Sequence, residues 1–77
     1  MTDLPTDDPV NEAGPKYPVT VQLTGQDGNA FFILGRVQAG LRRAGVPEDE
    51  VNAYYAEATA GDYGHLLRTT MRWVEVI

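Results

Sequence analysis

Two breaks limit what this chain can build. Gly45 sits two residues before Pro47, and Gly61 directly precedes Asp62. A glycine suited to a left-handed C′ position, then a proline at a first helical turn, ends one helix and starts the next. An aspartate after a glycine reads as the N-cap of a further helix. The C-terminal part is thus cut into short helices that must pack on one another.

The first helix is expected over Asn29–Ala44, capped by Asp27 or Asn29. Its buried stripe is Ala30, Leu34, Val37, Leu41 and Ala44, at alternating spacings of four and three, widened by Ile33. The second starts at Pro47, with Glu48, Asp49 and Glu50 at the positive end of its dipole. Val51, Tyr54, Tyr55 and Ala58 form its apolar face. The third runs from Asp62 to Trp73, with Tyr63, Leu67, Thr70, Met71 and Val74 on one face.

Before the helices, Val19–Leu23 alternates apolar and polar residues, the period of a half-buried strand. The tail Val74–Ile77 alternates again and can pair with it. The predicted fold class is α+β and mostly helical: one N-terminal strand, three short helices, and a possible short C-terminal strand. Residues 1–16 carry Asp3, Asp7, Asp8 and Glu12 against Lys16, with Pro5, Pro9 and Pro15 and few apolar residues. They read as a disordered acidic tail, because they cannot bury enough surface to offset their ordering entropy. Residues 17–77 are then a single small helical domain.

Composition excludes much chemistry. The 77 residues include no cysteine and a single histidine, His65, and serine is absent. Disulfides, zinc–thiolate sites, iron–sulfur clusters and a serine-based triad are therefore ruled out. The sequence has no HExxH, EF-hand loop or Walker motif. The turn Gly25-Gln26-Asp27-Gly28-Asn29 lacks the spacing of a dinucleotide fingerprint. The cluster Glu48-Asp49-Glu50 reads as a helix-dipole complement rather than an acid–base pair. No enzyme, cofactor or metal is expected. The net charge of −5 argues against a nucleic acid polymer as partner. No apolar run approaches the ~20 residues of a membrane span, and the N-terminus lacks signal-peptide character. The expectation is a cytoplasmic protein without membrane association.

Two features are candidate sites. At the strand–Gly-x-Asp-Gly-Asn–helix junction, backbone N–H groups at a helix start suit an anion. The plainer account is that Asp27 already fills that position. The second feature is a basic face. His65, Arg68 and Arg72 lie at spacings of three and four on the third helix, and Arg36 and Arg43 lie seven apart on the first. Guanidinium forks suit phosphate oxygens, and Tyr54, Tyr55, Phe32 and Trp73 supply rings for stacking on bases. The plainer account here is a solvated basic face paired with acids such as Glu57 or Glu75. The candidate ligand-binding set is Asn29, Arg36, Tyr54, Tyr55, His65, Arg68, Arg72 and Trp73. An ordered unit of this size buries only ~60% of its unfolded surface, so homo-oligomerisation is expected.

Asp27-Gly28-Asn29-Ala30-Phe31-Phe32-Ile33-Leu34-Gly35 resembles the DGNAF-x-ILG signature of a family of small phage and bacterial proteins. Glu57-Ala58-Thr59-Ala60-Gly61-Asp62-Tyr63-Gly64-His65-Leu66-Leu67 is similar to that family's EAT-x-GDY-x-HLL block. The resemblance covers Thr20 to Val76. That family in turn looks like the phage anti-CBASS sponges, small oligomers that sequester cyclic-oligonucleotide immune signals without cleaving them. The resemblance implies a non-catalytic homo-oligomeric binder of a small phosphorylated ligand, such as a cyclic dinucleotide, acting in immune evasion in a bacterial host cytoplasm. No sponge motif is matched residue by residue, so the site residues above rest on side-chain chemistry alone. The alternative is a protein-interaction module or structural accessory protein that uses an exposed aromatic patch of Phe32, Tyr55 and Trp73.

Overall fold

The computed structural model describes residues 14–25 and 28–77. Five elements follow in order: β1 (Thr20–Val21), α1 (Ala30–Arg43), α2 (Glu48–Ala58), α3 (Tyr63–Trp73) and β2 (Glu75–Val76). The fold is mostly helical, with a two-stranded sheet, as expected. Of the expected acidic tail, residues 1–13 lie outside the described residues.

The helix boundaries follow local chemistry. The Asn29 side chain accepts the Phe31 backbone N–H at 2.8 Å and caps α1. At its other end Gly45 takes φ +84°, where a side chain would be strained. The Gly45 N–H reaches the Arg42 carbonyl and the Val46 N–H reaches that of Leu41, both at 3.0 Å. This pair of bonds is a Schellman motif. Pro47 caps α2 without a side-chain bond. The Asp62 carboxylate accepts the His65 N–H at 2.8 Å and starts α3.

β1 and β2 pair in parallel, Thr20 opposite Glu75 and Val21 opposite Val76. The three helices form the crossover that a parallel pair requires. The strand is shorter than the expected Val19–Leu23, with paired register only at Thr20 and Val21. Hydrogen bonding nevertheless extends on both sides. Lys16 and Tyr17 donate their N–H groups to the Arg72 and Trp73 carbonyls, and Leu23 and Thr24 both donate to Ile77. The two ends of the described unit are thereby fastened together.

The core is centred on Val37, Leu41, Val51, Tyr54 and Val74, all fully buried. Gly40 lets β1 lie close to α1, since a Cβ there would stand 3.2 Å from Val21 Cγ2. Three sequence expectations need correction. In α1, Ile33, Leu34, Val37 and Leu41 are inside as expected and Gly40 joins them, while Ala30 and Ala44 are exposed. In α2, Val51, Tyr54 and Ala58 are buried but Tyr55 is exposed. In α3, the buried face is Leu66, Thr69, Thr70 and Trp73, whereas Tyr63 and Met71 face solvent. This rotation buries the indole, the largest apolar surface on the helix, and leaves the more adaptable Met71 outside. Its polar cost is offset because Thr70 Oγ1 and Tyr54 Oη share a hydrogen bond of 2.8 Å.

Candidate functional site

The sequence-predicted residues do not form one site. They divide between a cluster around Glu57, a groove beside β1, and isolated positions.

Glu57 gathers three of them. Its Oε1 accepts the Trp73 indole N–H at 2.8 Å. Its Oε2 lies 3.5 Å from Arg72 Nη2, which also donates to Thr69 Oγ1 at 3.3 Å. Its backbone carbonyl is 2.8 Å from His65 Nε2. A carbonyl only accepts, so Nε2 carries the ring hydrogen in this arrangement. The Trp73 hydrogen bond, reinforced by Arg72, holds the Glu57 carboxyl below the usual carboxylate range. The cluster joins α2 to α3 across their polar side.

Trp73 and Tyr54 do not present a stacking face to a ligand. Trp73 is 6% exposed and Tyr54 fully buried. Tyr17 stacks on the indole at 6.0 Å between ring centroids, and Tyr54 meets it edge-on at 5.8 Å. Lys16 Nζ stands 4.3 Å from the indole centroid and 2.9 Å from Glu50 Oε1. Burial raises the Tyr54 phenol above its ordinary value. The exposed aromatic patch expected from Phe32, Tyr55 and Trp73 therefore loses Trp73. Phe31, 79% exposed, stands beside Phe32, 43% exposed, on α1.

The groove beside β1 is a different environment. Its open volume of about 340 Å³ is lined by Thr20, Val21, Gln22, Arg36, Ala39 and Arg43. Arg36 Nε donates to the Gln22 carbonyl at 3.1 Å, and its guanidinium lies 5.7 Å from the Phe32 ring centroid. Among the described residues, Lys16, Arg42 and Arg72 have carboxylate partners, while Arg36, Arg43 and Arg68 have none. Two of those three line this one groove.

The remaining candidates stand apart. Asn29 caps α1, and Tyr55 is exposed on α2. Arg68 lies along Gly64. Tyr63 Oη donates to the Gly28 carbonyl and ties the start of α3 to the loop before α1. Gln26 and Asp27 of the candidate anion-binding turn lie outside the described residues. A second, more apolar groove of about 220 Å³ is lined by Ala30, Leu34, Ala58, Tyr63 and Leu66, among others.

The spacing of Arg36 and Arg43 is legible in the sequence, but Arg43, Thr20 and Gln22 are not in the sequence-predicted set. The available signal was the seven-residue interval on one helix face. Which side of the strand would stay open carries no sequence signature. Among the described residues, no group of three or more acids and histidines is placed to hold a metal ion. No helix among them is long and apolar enough to cross a membrane. Compared with protein-family models, curated proteins and solved structures, the chain finds no match.

Proposed function

We propose that this protein is a non-catalytic binding module that takes an anionic partner in the groove between β1 and α1. One observation carries this reading: Arg36 and Arg43, which have no carboxylate partner among the described residues, line the same open groove in an otherwise acidic protein. Guanidinium groups bind carboxylates and phosphates through charge-assisted bonds, and local convergence outweighs an opposite net charge at short range. Arg72 and His65 contribute less than their spacing promised, because Glu57 engages both.

A small phosphorylated ligand, including a cyclic dinucleotide, is a second reading. The pair of arginine forks supports it, as does the resemblance to small phage proteins. Self-association through Phe31 and Phe32 belongs to the same proposal, since adjacent exposed rings on one helix suit a protein interface.

Calorimetric titration with pyrophosphate and with cyclic dinucleotides tests the site. Binding to the wild type that weakens at least about tenfold in Arg43→Ala supports the groove, as one charge-assisted bond is worth ~1.5–3 kcal/mol. Binding that is equally strong in Arg43→Ala places the ligand elsewhere.

A further inference from the structure

We infer that the outer edge of β1 is a strand-docking site for an extended acidic polypeptide segment, which would become the third strand of the sheet with its carboxylates on Arg36 and Arg43. The inference rests on the groove reading above and names the class of its partner.

The backbone geometry supplies the first part of the argument. Val19 and Val21 accept N–H groups from Glu75 and Ile77, and Leu23 donates to Ile77. These odd-numbered residues turn their polar groups toward β2. In a strand the groups of alternate residues point to opposite edges, so Thr20 and Gln22 turn theirs away from β2. The Gln22 carbonyl is taken by Arg36. The Thr20 N–H, Thr20 carbonyl and Gln22 N–H have no protein partner among the described residues. They form a short run of donor, acceptor and donor along the groove wall, the pattern an added strand satisfies.

The floor of the groove supplies the second part. Arg36, Ala39 and Arg43 line it from α1, with a small residue between two long cations. Ala39 leaves room for a neighbouring backbone, and the arginines reach the side chains of whatever lies there. Charge complementarity then selects the occupant. A second copy joined edge to edge would bring its own Arg36 and Arg43 against this pair, a like-charge contact that opposes pairing. A basic segment meets the same repulsion. An acidic extended segment gains both the backbone bonds and the ion pairs.

The test uses the full-length ¹⁵N-labelled protein and three probes: a terminally blocked hexapeptide alternating glutamate and valine, its lysine–valine counterpart, and pyrophosphate. The glutamate–valine peptide should shift the Thr20 and Gln22 amide resonances saturably and slow their hydrogen exchange at least about tenfold. The lysine–valine peptide should leave them unchanged. The double substitution Arg36→Glu and Arg43→Glu should abolish the response while the remaining spectrum keeps its dispersion. If the glutamate–valine peptide leaves both amides unmoved, the inference is overturned and the arginines act only as charged guards of an open edge. Equal binding of the lysine–valine peptide also overturns it. So do shifts of these amides on raising protein concentration alone, which would mark edge-to-edge pairing of two copies. A response to pyrophosphate without one to the acidic peptide overturns the strand-docking inference but leaves the anion-binding groove standing. No response to either removes both.

Discussion

The indole N–H of Trp73 donates to Glu57 Oε1 at 2.8 Å, so one side chain serves the core with its rings and the α2–α3 junction with its nitrogen. The indole is buried between Tyr17 and Tyr54 while its polar edge reaches a half-exposed carboxylate. A residue that looks like a stacking platform in the sequence is a structural clamp.

That clamp predicts a pH dependence. The folded pKa of Glu57 lies below its ordinary value of 4.5, first through the Trp73 bond, and that of Glu50 is also lowered, first through Lys16. A depressed carboxyl contributes stability that is present above the unfolded pKa and lost as pH falls through the folded one. Thermal midpoints should therefore fall as pH drops below about 4.5. Glu57→Gln should flatten part of that fall. Trp73 is the single tryptophan, so its fluorescence reports the transition directly.

Tyr54→Phe should cost ~1–2 kcal/mol, because it leaves the buried Thr70 hydroxyl without its partner. For a domain of this size each kcal/mol lowers the midpoint by ~4–8 °C. Adding Thr70→Val should cost less than the sum of the two single changes, since they share one bond. Denaturant melts of the four proteins give the cycle.

Gly61 sits where a Cβ would come within 2.7 Å of His65 Cγ. Gly61→Ala should displace the imidazole, break its bond to the Glu57 carbonyl and destabilise by ~1–3 kcal/mol. The His65 ring resonances should move with the loss of stability. An unchanged ring would mean that the turn before α3 gives way instead.

Much of this fold is legible in the sequence, and the reasons are local. Asn29, Gly45, Pro47 and Asp62 each act within a few residues of themselves, so the helix limits follow from chemistry that a linear reading contains. The alternation in Val19–Leu23 and Val74–Ile77 identifies two segments that do pair. The rotation of α3 is not local. Thr70 looks polar until Tyr54, from α2, is brought against it. The candidate site suffers from the same limitation. Spacing puts His65, Arg68 and Arg72 on one helix, but Glu57, on a different helix, decides that two of them are engaged. Arg43 becomes informative only because β1 turns an open edge toward it.

Phe31 should contribute little to the stability of the single chain, given its exposure of 79%. Phe31→Asp should change it by no more than ~0.5 kcal/mol. If Phe31 and Phe32 form the self-association surface, sedimentation should find an oligomer for the wild type and a species of 8.4 kDa for the variant. An 8.4 kDa wild type across the micromolar range would contradict self-association.

The anion-binding groove is tested most directly by thermal unfolding of the wild type and of the double variant Arg36→Ala and Arg43→Ala. The panel comprises pyrophosphate, cyclic dinucleotides and the glutamate–valine hexapeptide, at low and moderate salt. A ligand specific for the folded state adds ~2.7 kcal/mol at a hundredfold excess over its dissociation constant, a shift of more than ~10 °C here. Such a shift is expected with at least one anionic ligand in the wild type, reduced by salt and absent in the double variant. A flat panel with a well-folded protein, or a shift of equal size without the two arginines, would contradict it.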